Sequence, residues 1–270
     1  VKSRRETGPL GGELAGTVIA AGIPPGAGLK WRRMTRIGRY VILEKLGEGG
    51  MGVVYAAEDL RLERKVALKT IHKHLADATG RRRMWREART ASAVAHPNIC
   101  QVYEFGEDGD ELFLAMELLE GEPLSDRLAR GPLPLREALE IAISITAALE
   151  AVHGEGVIHR DLKPSNIFLT PHGAKLLDFG LAVPLASVGV EDRITRTGVF
   201  VGTPGFMAPE LWRAEEASPA SDLFALGAIV IEMIAGVPAF QGDGAAGLLH
   251  AILHDAAPTL TGGDALDGVD

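Results

Sequence analysis

With 270 residues, 46% of them hydrophobic and 24% charged, the chain is long enough to enclose a core shared by two lobes and has an ordinary globular composition. One cysteine, Cys100, excludes an intrachain disulfide, and no Cys/His cluster has zinc spacing. The net charge of −8 is uneven: residues 1–40 hold 8 basic and 2 acidic side chains, residues 41–270 hold 20 and 34, and so acidic a body argues against nucleic-acid binding.

Residues 1–33 are punctuated by Gly8-Pro9, Gly11-Gly12, Pro24-Pro25 and Gly26-Ala27-Gly28, with no helical or strand period. Lys2, Arg4 and Arg5 ahead of Leu14–Ile23 outline a secretory signal only faintly, because the apolar stretch is short and broken by glycine. Met34 stands directly before the first strand-like segment and reads as the natural start. Residues 1–36 are accordingly expected to be a disordered leader or a non-native extension.

From Tyr40 the pattern changes. Tyr40–Leu46, Gly52–Ala57 and Lys65–Ile71 are strand candidates, the first two joined by glycines. Asp77–Ala95 reads as a helix with a face of Arg81, Arg82, Arg86 and Arg89, ended by His96-Pro97-Asn98. Cys100, after the apolar Ile99, reads as a small buried hydrophobe. Tyr103–Phe105 and Leu112–Met116 flank a Gly/Asp turn, as in a hairpin. Beyond Gly121 helices dominate: Leu139, Ala142, Ile145, Leu149 and Val152 fall on one face of a helix that stops at Gly154. The apolar run Leu223–Phe240, broken only by Glu232, is too short for a membrane span, which needs about 20 residues. Asp222 can cap its start and Gly236 and Pro238 end it, so it reads as a buried core helix. A β-rich front third followed by a helical remainder predicts an α+β, two-lobed protein.

Several motifs carry chemistry. Gly47-Glu48-Gly49-Gly50-Met51-Gly52-Val53-Val54 is a loop whose glycines let backbone N–H groups approach phosphate oxygens. A dinucleotide fingerprint would need a helix after the third glycine, and a Walker A loop would need Lys-Ser or Lys-Thr. Here Val53-Val54-Tyr55 is strand-like. Val66-Ala67-Leu68-Lys69 sets a lysine into the third strand. His159-Arg160-Asp161-Leu162-Lys163-Pro164-Ser165-Asn166 is followed by Asp178-Phe179-Gly180. Asp161, Asn166 and Asp178 at that spacing can converge on one centre and suit phosphoryl transfer, one carboxylate orienting a hydroxyl while an amide and a carboxylate hold Mg²⁺.

Taken in order, these motifs resemble those of eukaryotic-type (Hanks-type) protein serine/threonine kinases, bacterial branch, from about Ile37 to about Leu260. The resemblance implies a two-lobed kinase fold, with an N-lobe at about 37–116, a hinge at about 117–121 and a C-lobe at about 122–270. It implies ATP and Mg²⁺ as cofactors and protein substrates as partners. ATP would be held by Gly47, Glu48, Gly49, Gly50, Met51, Gly52, Val53 and Val54, by Lys69 on the phosphates, and by Glu117 and Leu119 in the hinge after the gatekeeper-like Met116. Val54, Ala67 and Phe168 would sandwich the adenine, although ordinary strand core accounts for them equally well. Glu87 would pair Lys69, Asp161 would accept the hydroxyl proton, Lys163 would neutralise the phosphoryl group, and Asn166 and Asp178 would hold the metal. His159 and Phe179 are expected to pack rather than to carry protons. Gly202-Thr203-Pro204-Gly205-Phe206-Met207-Ala208-Pro209-Glu210 resembles the end of a protein-kinase activation segment, which small-molecule kinases lack.

Arg160 is expected to be a buried cation needing an anion, which makes Thr195 and Thr197 the candidate phosphosites. A homodimer for trans-autophosphorylation and a cytoplasmic location follow from the same resemblance, with no membrane segment within the chain. No Lys or Arg occurs after Arg213. The arginine that the family pairs with the position of Glu210 is therefore missing, and the C-lobe is expected to be truncated.

Overall fold

A computed structural model of the chain describes residues 36–49, 52–71, 94–109, 111–177 and 204–256. The expected leader to residue 35, the Asp77–Ala95 helix over all but its last two positions, Asp178 and the segment to 203 lie outside these residues, whereas Arg36, expected at the end of the leader, pairs with Val41.

Strands β1 (Arg36–Ile37), β2 (Tyr40–Gly49), β3 (Gly52–Asp59), β4 (Arg64–Ile71), β5 (Val102–Asp108) and β6 (Glu111–Met116) form a sheet in the order β1-β2-β3-β4-β6-β5. Every neighbouring pair is antiparallel. Successive side chains of a strand point to opposite faces, and here both faces are covered. Val66 and Leu68 pack with Ile37, Tyr40, Ala57, Phe113 and Ala115 on one side. Ala67 packs with Val54, Leu114, Met116, Leu119, Phe168 and Leu177 on the other. This explains why β4 and β6 read as unbroken apolar runs rather than alternating ones.

The chain continues as β7 (Glu122–Pro123), α1 (Leu124–Leu128), α2 (Leu135–Gly154), β8 (Ile167–Thr170), β9 (Gly173–Leu176), α3 (Pro209–Trp212), α4 (Pro219–Ala235) and α5 (Gly244–His254). Strands β7, β8 and β9 make a second small sheet. Its entry requires glycine: Gly121 has φ +136°, and a Cβ there would lie 1.9 Å from the Leu169 carbonyl oxygen. The helical core joins Ile145, Leu149 and Val152 of α2 to Ala225, Ile229 and Met233 of α4, with Ile167 and Leu176 beneath them.

Two expectations are corrected. The buried face of α2 is Ala138, Ile141, Ile145, Ala148, Leu149 and Val152, whereas Leu139 is 46% exposed. Apolar residues surround this helix, so more than one stripe fits the helical period. Helix α4 begins before Asp222, with Ser218 as N-cap and Pro219 first in the helix. The Ser218 N–H donates to Ser221 Oγ at 3.1 Å, and Gly236 ends the helix at φ +70°. Helix α4 is otherwise the expected core helix, and among the described residues no helix is long and apolar enough to cross a membrane.

Within α4, burial raises the pKa of Glu232, and its Oε2 finds no hydrogen-bond partner among the described residues. A carboxylate raised in the fold costs stability wherever it is ionised, and the cost disappears below its unfolded pKa of about 4.3. Glu232→Gln is therefore expected to melt higher than the parent chain at neutral pH, with the difference closing as pH falls towards 4. Gly121→Ala should lower stability by about 1–3 kcal/mol or more in urea titrations. Gly109→Ala, also at positive φ but with nothing within 4 Å of the new Cβ, should lose less.

Candidate active site

The segment 159–166 is held from below by one carboxylate. Asp222, 1% exposed, accepts the His159 N–H on Oδ2 and the Arg160 N–H on Oδ1, both at 2.9 Å. His153 of α2 donates from Nε2 to Oδ2 at 2.8 Å. Arg160 takes φ +67°, a left-handed conformation that costs a non-glycine residue roughly 1–2 kcal/mol. Charge-assisted hydrogen bonds from its own amide and that of His159 offset that cost. The buried His159 ring donates from Nε2 to the Leu177 carbonyl at 2.9 Å, and its Nδ1 accepts the Asp161 N–H at 3.3 Å. It packs and orients, as expected.

Asp161 is thereby turned towards Lys163 and Asn166. Lys163 Nζ donates to Asp161 Oδ2 at 2.8 Å. Asn166 Nδ2 donates to the Asp161 carbonyl at 2.8 Å and to Oδ2 at 3.2 Å. The amide nitrogen of Asn166 is thus used, which leaves its oxygen as the atom suited to a hard cation such as Mg²⁺. The Leu177 N–H donates to the Asn166 carbonyl at 2.8 Å, tying the loop to the residue before Asp178.

On the sheet side, Gly47 pairs with Val54, Glu48 with Val53 and Gly49 with Gly52. The glycine loop is therefore the end of a hairpin, and a strand rather than a helix follows it. A Cβ on Gly52 would lie 1.7 Å from the Thr70 carbonyl oxygen, so only glycine fits beside β4. The Glu48 carboxylate pairs with Lys45. Lys69 is 4% exposed and stands opposite Val54 and Leu114, on the face of the sheet that carries Ala67. Val54, Ala67, Met116, Leu119 and Phe168 meet in one buried cluster. The structure therefore brings together Val54, Ala67 and Phe168, the residues expected to sandwich the adenine. Gly50, Met51, Glu87, Asp178, Thr195 and Thr197 lie outside the described residues.

Arg160 is exposed, not buried as expected, because the left-handed turn sends its backbone to Asp222. Glu210 is half-buried and accepts the Ser221 hydroxyl. Asp222, read from the sequence as a helix cap, is the residue that sequence reasoning missed.

A twisted sheet carrying a glycine hairpin and a buried lysine, joined to a helical body that presents an Asp–Lys–Asn loop, defines a protein kinase. The chain belongs to this family: residues 40–262 match the protein kinase domain. It is 40% identical over 236 residues to the serine/threonine-protein kinase pkn2 of Myxococcus xanthus, covering 83% of this chain and 28% of that protein. It is 40% identical over 225 residues to the serine/threonine-protein kinase PrkC of Bacillus subtilis, covering 82% and 34%. The chain thus spans about a third of the length of these relatives. The crystal structure of the PknI kinase domain of Mycobacterium tuberculosis matches with a TM-score of 0.65 and 28% identity, covering 79% of this chain and 80% of that one.

Removing the Asp222 carboxylate orphans two backbone donors, each worth about 1–3 kcal/mol when left buried and unpaired. Asp222→Ala should lose stability on that scale in urea titrations. Asp222→Asn, which keeps one acceptor oxygen, should lose less.

Proposed function

We propose that this domain transfers the γ-phosphate of ATP to serine and threonine hydroxyls of proteins. The observation that carries the reading is the Asp161 carboxylate, which Lys163 and Asn166 fix through a single oxygen, Oδ2. Oδ1 is then the atom that orients the incoming hydroxyl and takes its proton, which leaves the alkoxide-like oxygen to attack phosphorus. Lys163, held 2.8 Å from that carboxylate, supplies positive charge beside the transferring group. Asn166 and Asp178 are assigned to Mg²⁺, which when bound supplies charge neutralisation along the phosphates. Lys69 holds the α/β-phosphates with Glu87 as its partner, and the hairpin Gly47–Val54 covers them.

The hinge donors and acceptors are assigned to the backbone of Glu117 and Leu119, and the adenine faces to Val54, Ala67 and Phe168. We divide the domain into an N-lobe to about 116, a hinge to about 121 and a C-lobe beyond, and place it in the cytoplasm, where ATP is available. Autophosphorylation at Thr195 or Thr197, in a transient homodimer, completes the reading. Its support is the pair of threonines between Arg193, Arg196 and Gly198, since the exposed Arg160 does not demand an anion.

The test is γ-phosphate transfer to a generic protein substrate. Asp161→Asn, Asp178→Asn and Lys69→Met should each stay folded and lose on the order of 10²–10³ in rate. Undiminished transfer by Asp161→Asn would remove the assignment, and a parent chain that binds nucleotide without transferring phosphate would mark a silent binding domain.

A further inference from the structure

Glu117 opens the proposed hinge, yet its side chain does not face a nucleotide. Glu117 Oε2 accepts Lys175 Nζ at 2.8 Å and the Gln101 N–H at 3.3 Å. Lys175 also donates to the Ile99 carbonyl at 3.5 Å. The Glu117 backbone is held as well: its N–H donates to the Gln101 carbonyl at 2.9 Å, and the buried Cys100 thiol lies 3.7 Å from its carbonyl oxygen. Lys175 belongs to β9, where it stands opposite Phe168, the residue assigned to one face of the adenine. The two charged side chains are mostly buried, 19% and 29% exposed, so water screens the pair only in part.

We infer that the Glu117–Lys175 ion pair is a strut that positions the hinge backbone for the nucleotide base, with Lys175 a positioning residue for ATP binding. The inference rests on the proposed kinase function. Its physical basis is geometric. Glu117 is fixed on one side by Gln101 and Cys100 of the 98–101 segment, and the Lys175 ammonium tethers it from the β8–β9 hairpin. Without it, the Glu117 carboxylate keeps, among the described residues, the Gln101 N–H, and the residue whose carbonyl meets the base gains freedom that binding must then remove.

The experiment measures the dissociation constants of Mg-ATP, and of ADP in the presence of a chelator, for the parent chain, Lys175→Met, Glu117→Gln and the double variant. KM and kcat of phosphate transfer are measured alongside. Contacting charged pairs couple by amounts that translate to about three- to tenfold in affinity. Lys175→Met should weaken both nucleotides by about that factor, with KM rising more than kcat falls. Lys175→Arg should recover most of the loss, and the double variant should be no weaker than the worse single one. A loss confined to Mg-ATP, a fall in kcat alone, or additive single effects would each overturn the strut. A parent chain that binds neither nucleotide would instead overturn the kinase reading. Should Lys175→Met fail to melt cooperatively, Glu117→Gln and Lys175→Arg carry the same comparison.

Discussion

The buried Asp222 carboxylate is the constraint on which the active-site geometry depends. It lies in the helix that forms the centre of the C-terminal core, so its position is set by the packing of Ala225, Ile229 and Met233. From there it fixes two consecutive amides, and the left-handed turn at Arg160 aims the next residue, Asp161, at Lys163 and Asn166. A strained φ persists only where its surroundings over-determine it. Here three donors converge on one carboxylate, and the imidazole of His159 bonds on both edges. The catalytic loop is therefore an extension of the helical core, although no part of it is helical apart from the short turn at Pro164–Asn166.

How much of this was legible follows from where each signal is stored. The strands of the sheet were legible because Val, Ile and Leu cluster between glycine turns. The lysine's strand position was legible because Val66, Ala67 and Leu68 precede it without a break. The kinase motifs were legible because their chemistry is local, with Asp161, Lys163 and Asn166 within six positions. Asp222 was misread because an acid before an apolar run has the local appearance of a helix cap, while its partners lie 62 and 63 positions earlier. The face of α2 was legible at Ile145, Leu149 and Val152 but wrongly included Leu139, because Leu139 and Ile143, 69% exposed, are as apolar as the residues that do enter the core. Hydrophobic period identifies a helix, but the neighbour that selects its buried side is tertiary information. Arg160 was misjudged for a related reason: its motif position says nothing about the φ angle that directs its side chain outward.

The two halves of the site are joined by one strand as well as by the packing of Val54 and Ala67 with Phe168 and Leu177. Backbone bonds run from the 98–101 segment to β9: Leu176 N–H to the Asn98 carbonyl at 2.8 Å, and Cys100 N–H to the Leu176 carbonyl at 2.9 Å. The Asn98 side chain adds a third, to the Ala174 carbonyl at 2.9 Å. Directly after Leu176, β9 passes into Leu177, whose amide and carbonyl are both taken by the catalytic loop. The 98–101 segment and the catalytic loop are thus held by neighbouring residues of one strand, Leu176 and Leu177.

This arrangement separates what sequence can vary from what it must keep. Backbone bonds tolerate most side chains, so the 98–101 register leaves little mark in the sequence beyond Asn98, whose amide does what a backbone group cannot. The ion pair is different, because it needs an acid at 117 and a base at 175 together. It also links elements far apart in the chain, a hinge recognised by its place after Met116 and the β8–β9 hairpin ahead of Asp178. A strand that touches both the hinge proposed to meet the base and the loop proposed to hold Mg²⁺ would let one set of short-range contacts hold two ends of the nucleotide in register. The proximity that phosphoryl transfer requires can then be maintained even if the N-terminal sheet moves as a body.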